Sequence, residues 1–158
     1  MRQLIFIMVV ALSIVGCEPS EKRMPDVKLL LLDSVATLST GEIPSGNPVV
    51  LMFISPSCEH CQKETEKLLT KMQELNNVKF FFISIEPLHE LAVFNKYYHL
   101  SRYSNIVIGK DLALSMVKHF EIQSPPFTAV FNKDKELFAV FNGEFDINKL
   151  VEMIHKAS

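Results

Sequence analysis

Two long apolar runs separated by one amphipathic segment constrain the fold of this chain more than any other feature. The first run is VVLMFI at 49–54, and the second is VKFFFISI at 78–85. Between them, leucine and methionine recur at helical spacing among charged side chains, so residues 59–75 are predicted to form a half-buried helix. A strand, a helix and a second strand in this order predict a parallel pair of strands.

The alternation of strand and helix patterns extends on both sides of this unit. Such an order predicts one α/β domain in which a mixed sheet is flanked by helices on both faces. The short KDKE turn between the last two apolar runs predicts an antiparallel hairpin. The further predicted elements are a strand at 27–32, a helix at 87–100, a strand at 105–108, a helix near 111–119, strands at 127–132 and 136–142, and a last helix from Asp146.

Length and charge narrow the possible functions. A chain of 158 residues is long enough to bury the core of one domain and leaves little room for a second. Its 16 basic and 18 acidic residues nearly cancel, and no lysine or arginine cluster stands out. The sequence therefore lacks the electrostatic signature of a protein that binds nucleic acid.

The first residues have the pattern of an export signal. Arg2 precedes an apolar stretch that is too short to span a bilayer, so residues 1–16 are predicted to be a signal peptide. The sequence IVGC resembles the lipobox of bacterial lipoproteins, which implies acylation of Cys17 and a lipid anchor in the cell envelope, facing the periplasm. Residues 17–25 would form the lipidated tether, and residues 26–158 the folded domain. The alternative is a secreted protein with an ordinary cleavage site.

If Cys17 carries the anchor, the domain keeps two cysteines, Cys58 and Cys61. A disulfide across a two-residue gap closes too small a loop to stabilise the fold much, so chemistry explains the pair better than stability does. Cys58 lies where the predicted strand ends and the predicted helix begins. Amide groups and the helix dipole at that point favour a thiolate, which predicts Cys58 as the nucleophile and Cys61 as the inward-facing thiol.

A strand, Cys-x-x-Cys at the start of a helix, and a later proline before a hairpin and a last helix together resemble the thioredoxin superfamily. The resemblance covers about residues 25–158. The segment CEHCQKE is most similar to the membrane-tethered TlpA/ResA-type thiol-disulfide oxidoreductases, which carry a glutamate where Glu64 stands. The resemblance implies that Glu64 accepts the Cys61 proton, and burial would raise its pKa toward neutrality. The alternative is that Glu64 is a solvated helix residue.

The segment FEIQSPPFTAVF is similar to the superfamily's cis-proline loop, and the match places the cis-proline at Pro126. In the superfamily, the residue before this proline offers backbone groups to the substrate. Pro125 has no N–H to donate, so only its carbonyl could serve. Apolar contacts from Pro56 and Phe127 are therefore expected to contribute to substrate binding.

The two residues between the cysteines, Glu59 and His60, are expected to tune the redox couple. A histidine stands between the cysteines in the DsbA-like and protein-disulfide-isomerase-like members. Protonated, it would stabilise the Cys58 thiolate and raise the reduction potential. His60 thus favours an oxidant or isomerase, whereas Glu64 favours a reductase.

We expect a monomeric reductase that acts on protein disulfides and receives electrons from a membrane donor. The thiols themselves carry the electrons, so neither a cofactor nor a metal is expected. The alternative from another class is a copper-binding chaperone of the same fold that uses both thiolates and a histidine, because soft sulfur ligands suit Cu(I).

Overall fold

Seven strands form one mixed sheet in the computed structural model, which describes residues 22–158. The predicted signal peptide and Cys17 lie outside the described residues. The strands are β1 (Lys28–Leu31), β2 (Thr37–Ser39), β3 (Val49–Phe53), β4 (Lys79–Ser84), β5 (Ile106–Asp111), β6 (Phe127–Phe131) and β7 (Leu137–Asn142). The helices are α1 (Glu59–Leu69), α2 (Leu88–Tyr97), α3 (Ser115–Phe120) and α4 (Ile147–Ala157).

The strand order in the sheet is β2-β1-β5-β4-β3-β6-β7. The neighbours β3 and β4 are parallel, as are β4 and β5, because α1 and α2 carry the chain back between them. The remaining neighbours are antiparallel, including the hairpin of β6 and β7. The predicted α/β class and mixed sheet are confirmed.

The sheet separates two apolar cores. In β4, Phe80 and Phe82 point to the core under α1, α2 and α4, whereas Phe81 points to the core under α3. All three phenylalanines are fully buried. A strand buried on both faces needs apolar residues at every position, which explains the unbroken run in the sequence.

Helix α1, which begins directly after Cys58, is shorter than predicted. It ends at Leu69, whereas the sequence pattern continues to Leu75. Beyond the end, the chain continues in tighter turns, in which Lys71 N–H donates to the Leu68 carbonyl and Val78 N–H to the Leu75 carbonyl. Because these turns have nearly the period of a helix, Leu75 is still fully buried.

Two further differences have local causes. The predicted helix near 111–119 begins only at Ser115, because Asp111 ends β5 and its carboxylate accepts the N–H groups of Ala113 (3.2 Å) and Met116 (2.9 Å). The three-residue strand β2 was not predicted, since so short a strand leaves no periodic pattern.

The described chain enters the sheet beside the turn between β6 and β7. Met24 N–H donates to the Lys135 carbonyl at 3.0 Å, and Arg23 forms a β-bridge with Glu136. Within residues 22–158, no helix has the length and apolar character needed to cross a membrane.

Candidate active site

The Cys-x-x-Cys segment joins the end of β3 to the start of α1. Cys58 is the residue that caps α1, and its own N–H donates to the Ser55 carbonyl at 3.1 Å. The Cys61 N–H donates to Cys58 Sγ at 3.5 Å. The first amides of a helix lack partners within the helix, so the fold supplies the Cys58 sulfur with a donor that suits an anion.

The two thiols differ in their access to solvent. Both are free, but Cys58 is half-buried and Cys61 is completely buried. Burial raises the pKa of the Cys61 thiol far above its ordinary value, and the neighbouring Cys58 and Glu64 raise it further. A partner can therefore reach Cys58, whereas Cys61 needs a proton acceptor before it can act as a nucleophile.

The cis-proline loop lies directly against Cys58. The Pro125–Pro126 peptide bond is cis, at the position that the sequence predicts. Cys58 Sγ lies 3.9 Å from the Pro125 carbonyl oxygen, and Pro126 is buried. Phe127 is only 5% exposed, and its ring packs against Phe120 with 5.0 Å between ring centroids. The ring of Phe127 thus belongs to the core under α3 and offers little surface to a substrate.

Glu64 is a carboxyl group enclosed in the core beside Cys61. It is 0% exposed, so the alternative of a solvated helix residue is wrong. Its Oε1 accepts the Phe145 N–H at 2.8 Å, and its Oε2 has no hydrogen-bond partner among residues 22–158. Burial raises the pKa of Glu64 to about 7, although the Phe145 N–H opposes this rise. The group can therefore gain and lose a proton near neutral pH.

Glu64 and Cys61 are both buried side chains of α1. Residues three apart lie on the same face of a helix, and both side chains point into the same core. Met52 of β3 belongs to the same core as Cys61, is 1% exposed and carries no titratable group. Glu64 is consequently close enough to Cys61 to raise the pKa of its thiol.

The side chain of His60 contacts an acidic residue of the loop between β7 and α4. Its Nδ1 hydrogen-bonds Glu144 Oε1, and because a carboxylate can only accept, Nδ1 carries the proton. Lys67 Nζ lies 3.6 Å from the other oxygen of Glu144. The hydrogen bond from His60 lowers the pKa of Glu144, which keeps a negative charge beside this histidine. Glu59, the other residue between the cysteines, is exposed at the start of α1.

Sequence reasoning missed three residues of the site. Glu144 and Phe145 lie in the loop between β7 and α4, more than eighty positions from the residues that they contact. Thr128 of β6 points toward the core that holds Cys61, as does its neighbour on β3, Met52, and its buried hydroxyl has no partner among the described residues. No local motif marks any of the three.

The predicted docking residue Pro56 lies in the turn before Cys58. Its carbonyl accepts the Gln62 side-chain amide at 2.8 Å, which ties this turn to α1. The copper-binding alternative needs a further ligand beside the two thiols. In the part of the chain that the structure describes, no group of three or more histidine, cysteine or acidic residues is arranged to hold a metal ion.

Comparisons with solved structures agree with the fold. DsbF of Mycobacterium tuberculosis shares 18% identity at a TM-score of 0.71, over 89% of this chain and 98% of that one. A secreted M. tuberculosis disulfide oxidoreductase homologous to E. coli DsbE shares 17% identity at a TM-score of 0.68, over 88% of this chain and 99% of that one. At these identities the similarity establishes the fold.

Sequence comparison gives the family. No curated protein sequence matches the chain significantly. The family model of the thioredoxin-like domain matches residues 43–158, which include the dithiol, the cis-proline loop and the last helix. The chain therefore belongs to the thioredoxin-like domain family.

Proposed function

We propose that this protein is a thiol-disulfide oxidoreductase that reduces disulfide bonds of cell-envelope proteins with Cys58 and Cys61. The observation that carries the proposal is the order of three groups from the surface inward. Cys58 is reachable, Cys61 is buried behind it, and Glu64 is buried beside Cys61 with a pKa of about 7. A dithiol with its own buried base is suited to thiol-disulfide exchange.

In the first step, the Cys58 thiolate attacks one sulfur of the target disulfide. A bond forms between Cys58 and that sulfur, and the other target sulfur leaves as a thiolate that takes a proton from water. Glu64 then accepts the proton of Cys61, and the Cys61 thiolate attacks Cys58 Sγ. The target leaves with both sulfurs reduced, and the enzyme keeps the two-electron oxidised product, a Cys58–Cys61 disulfide.

The contacts of His60 support the reductive direction. A histidine cation near Cys58 would favour the reduced enzyme and make it an oxidant of other proteins. Glu144 bonds His60 directly and supplies a compensating negative charge, which weakens that effect. An upstream membrane dithiol that reduces the Cys58–Cys61 disulfide would complete the cycle.

The reduction potential of the couple tests the direction. We expect purified, metal-free protein equilibrated with glutathione buffers to give a potential near that of thioredoxin, about −270 mV. Alkylation of the free thiols followed by mass spectrometry measures the reduced fraction at each buffer ratio. A value near that of DsbA, about −120 mV, would instead support the oxidant or isomerase alternative.

The proposed location is the bacterial cell envelope, with acyl chains on Cys17 holding the domain at a membrane. The support is the signal-like residues 1–16 with IVGC, together with a similar structure that belongs to a secreted protein. Intact-mass analysis should find a mature chain that begins with acylated Cys17, and Cys17→Ser should release it from membranes without changing its reduction potential. A mature N-terminus elsewhere, or an unmodified Cys17, would contradict the anchor.

A further inference from the structure

We infer that a groove between α1 and α2 beside Cys58 binds the segment of the target polypeptide next to its cysteine, and that it prefers apolar side chains accompanied by lysine or arginine. The inference rests on the proposed function and adds a substrate class to it. The groove has a volume of about 440 Å³. A larger concavity, about 530 Å³, lies at the opposite end of the sheet, where β3 and β4 begin, and is far from the thiols.

The groove begins at the redox centre. Pro56 and Ser57 form its near end, and Ser57 directly precedes Cys58. One or two residues span at most about 7 Å of extended chain, so a peptide bonded to Cys58 could reach the groove immediately. The hydrogen bond from Gln62 to the Pro56 carbonyl holds this end in place.

Aromatic and aliphatic side chains of α2 line the rest of the groove. The rings of Phe94 and Tyr98 are in contact at 4.7 Å between centroids and are tilted by 56°, and Phe94 is 4% exposed. Val93 and Tyr97, one helical turn apart, are 67% and 72% exposed. An amphipathic helix normally turns such residues inward, so their exposure next to a reactive thiol indicates a surface that a partner covers.

The acidic residues that line the groove favour a target segment with a positive charge. Glu66 of α1 and Glu90 of α2 line it, and no lysine or arginine among residues 22–158 does. Neither carboxylate takes part in an ion pair among the described residues; Glu66 accepts only the Tyr98 hydroxyl, at 3.5 Å. His89 lies on the same wall. A target segment that brings an apolar residue and a cation satisfies both the apolar surface and the carboxylates.

The test uses full-length protein with Cys17→Ser and Cys61→Ser, so that Cys58 is the reacting thiol and the exchange stops after one step. Short peptides carry one cysteine activated as a mixed disulfide with thionitrobenzoate. When Cys58 attacks the peptide sulfur, coloured thionitrobenzoate leaves, and its absorbance gives the second-order rate. Three peptides differ only beside the cysteine: leucine with lysine, leucine with glutamate, and serine with lysine.

We expect the leucine–lysine peptide to react fastest. Glutamate in place of lysine should slow it about fivefold, the upper range of an exposed ion pair. Serine in place of leucine should slow it about tenfold, the effect of partly burying one leucine. Equal rates for the three peptides would overturn the proposal that the groove binds the target, while leaving the proposed exchange intact. If no peptide released thionitrobenzoate, the proposed exchange itself would be overturned.

Variants in the groove give the second half of the test. Glu66→Lys with Glu90→Lys should reverse the preference between the lysine and glutamate peptides, and Glu42→Lys at the far end of the sheet is the charge control. Val93→Ser should reduce the advantage of leucine, whereas Val140→Ser removes an equally apolar exposed residue on β7 and should not. Sedimentation that shows a dimer dissociated by Val93→Ser would assign the groove to a second copy of the chain and overturn the proposal.

Discussion

A Cys61→Ser variant should accumulate mixed disulfides through Cys58 and should lose multiple turnover. Cys58 remains accessible and can still attack a target disulfide, but no second thiol is present to release the product. Non-reducing electrophoresis of the variant mixed with a disulfide-containing protein should show a covalent adduct, and peptide mass spectrometry should find the bond at Cys58. A reducing agent should cleave the adduct.

The matched control is Cys58→Ser, which removes the accessible thiol and keeps the buried one. Because Cys61 is completely buried, this variant should form no adduct and should not turn over. Thermal unfolding of both variants shows whether each retains the fold. Adducts through Cys61 in the folded Cys58→Ser protein would reverse the assigned roles.

The largest effect outside the cysteines is expected from Glu64→Gln. The variant should form the mixed disulfide at nearly the parent rate and release the product about 10²–10⁴-fold more slowly, the usual range for general base catalysis. Stopped-flow measurement of both phases with one activated peptide separates the two steps. Glu152→Gln, which changes an exposed glutamate of α4 that lies outside the site and the groove, is the control. Equal release rates in parent and Glu64→Gln at pH 7 would remove Glu64 from the mechanism.

The raised pKa of Glu64 also predicts how both rate and stability depend on pH. The release step of the parent should accelerate as pH rises through about 7, since only the carboxylate can accept a proton. The same carboxyl ordinarily has a pKa of 4.5, so between about 4.5 and 7 the folded state holds a proton that the unfolded state has lost. The free energy of unfolding of the parent should therefore fall across this interval and stay constant above it.

Glutamine at position 64 cannot ionise, so the free energy of unfolding of Glu64→Gln should not fall between about pH 4.5 and 7. At pH 8, urea denaturation should find Glu64→Gln more stable than the parent by up to about 3 kcal/mol, and at pH 4 the advantage should disappear. A variant that is both more stable and slower is the result expected when a buried charge serves chemistry. A constant difference in stability from pH 4 to pH 8 would show that Glu64 does not titrate in this range.

The sequence was informative where a local pattern carried the signal. The alternation of strands and helices and the thiol pair were readable because they follow from neighbouring residues, whereas Glu64 was predicted from the resemblance of CEHCQKE to a family motif. Phe127 shows the opposite case. Every residue of β6 is buried, so the strand lacks the alternation that would have shown which face holds the ring. Glu144 and Phe145 reach the site only because the sheet brings β7 and α4 beside α1, and nothing near them in the sequence indicates it.

The hydrogen bond from Met24 N–H to the Lys135 carbonyl fixes the point at which the chain enters the folded domain. Strand β6 runs from the loop that touches Cys58 to the turn that receives Met24, and its five residues span about 17 Å. The incoming chain and the dithiol therefore lie at opposite ends of the sheet. With the proposed acyl chains on Cys17, the end of the domain that carries Cys58 and Cys61 would face away from the membrane. It would meet partners that approach from the aqueous side, and a membrane donor would have to extend past the domain to reduce it.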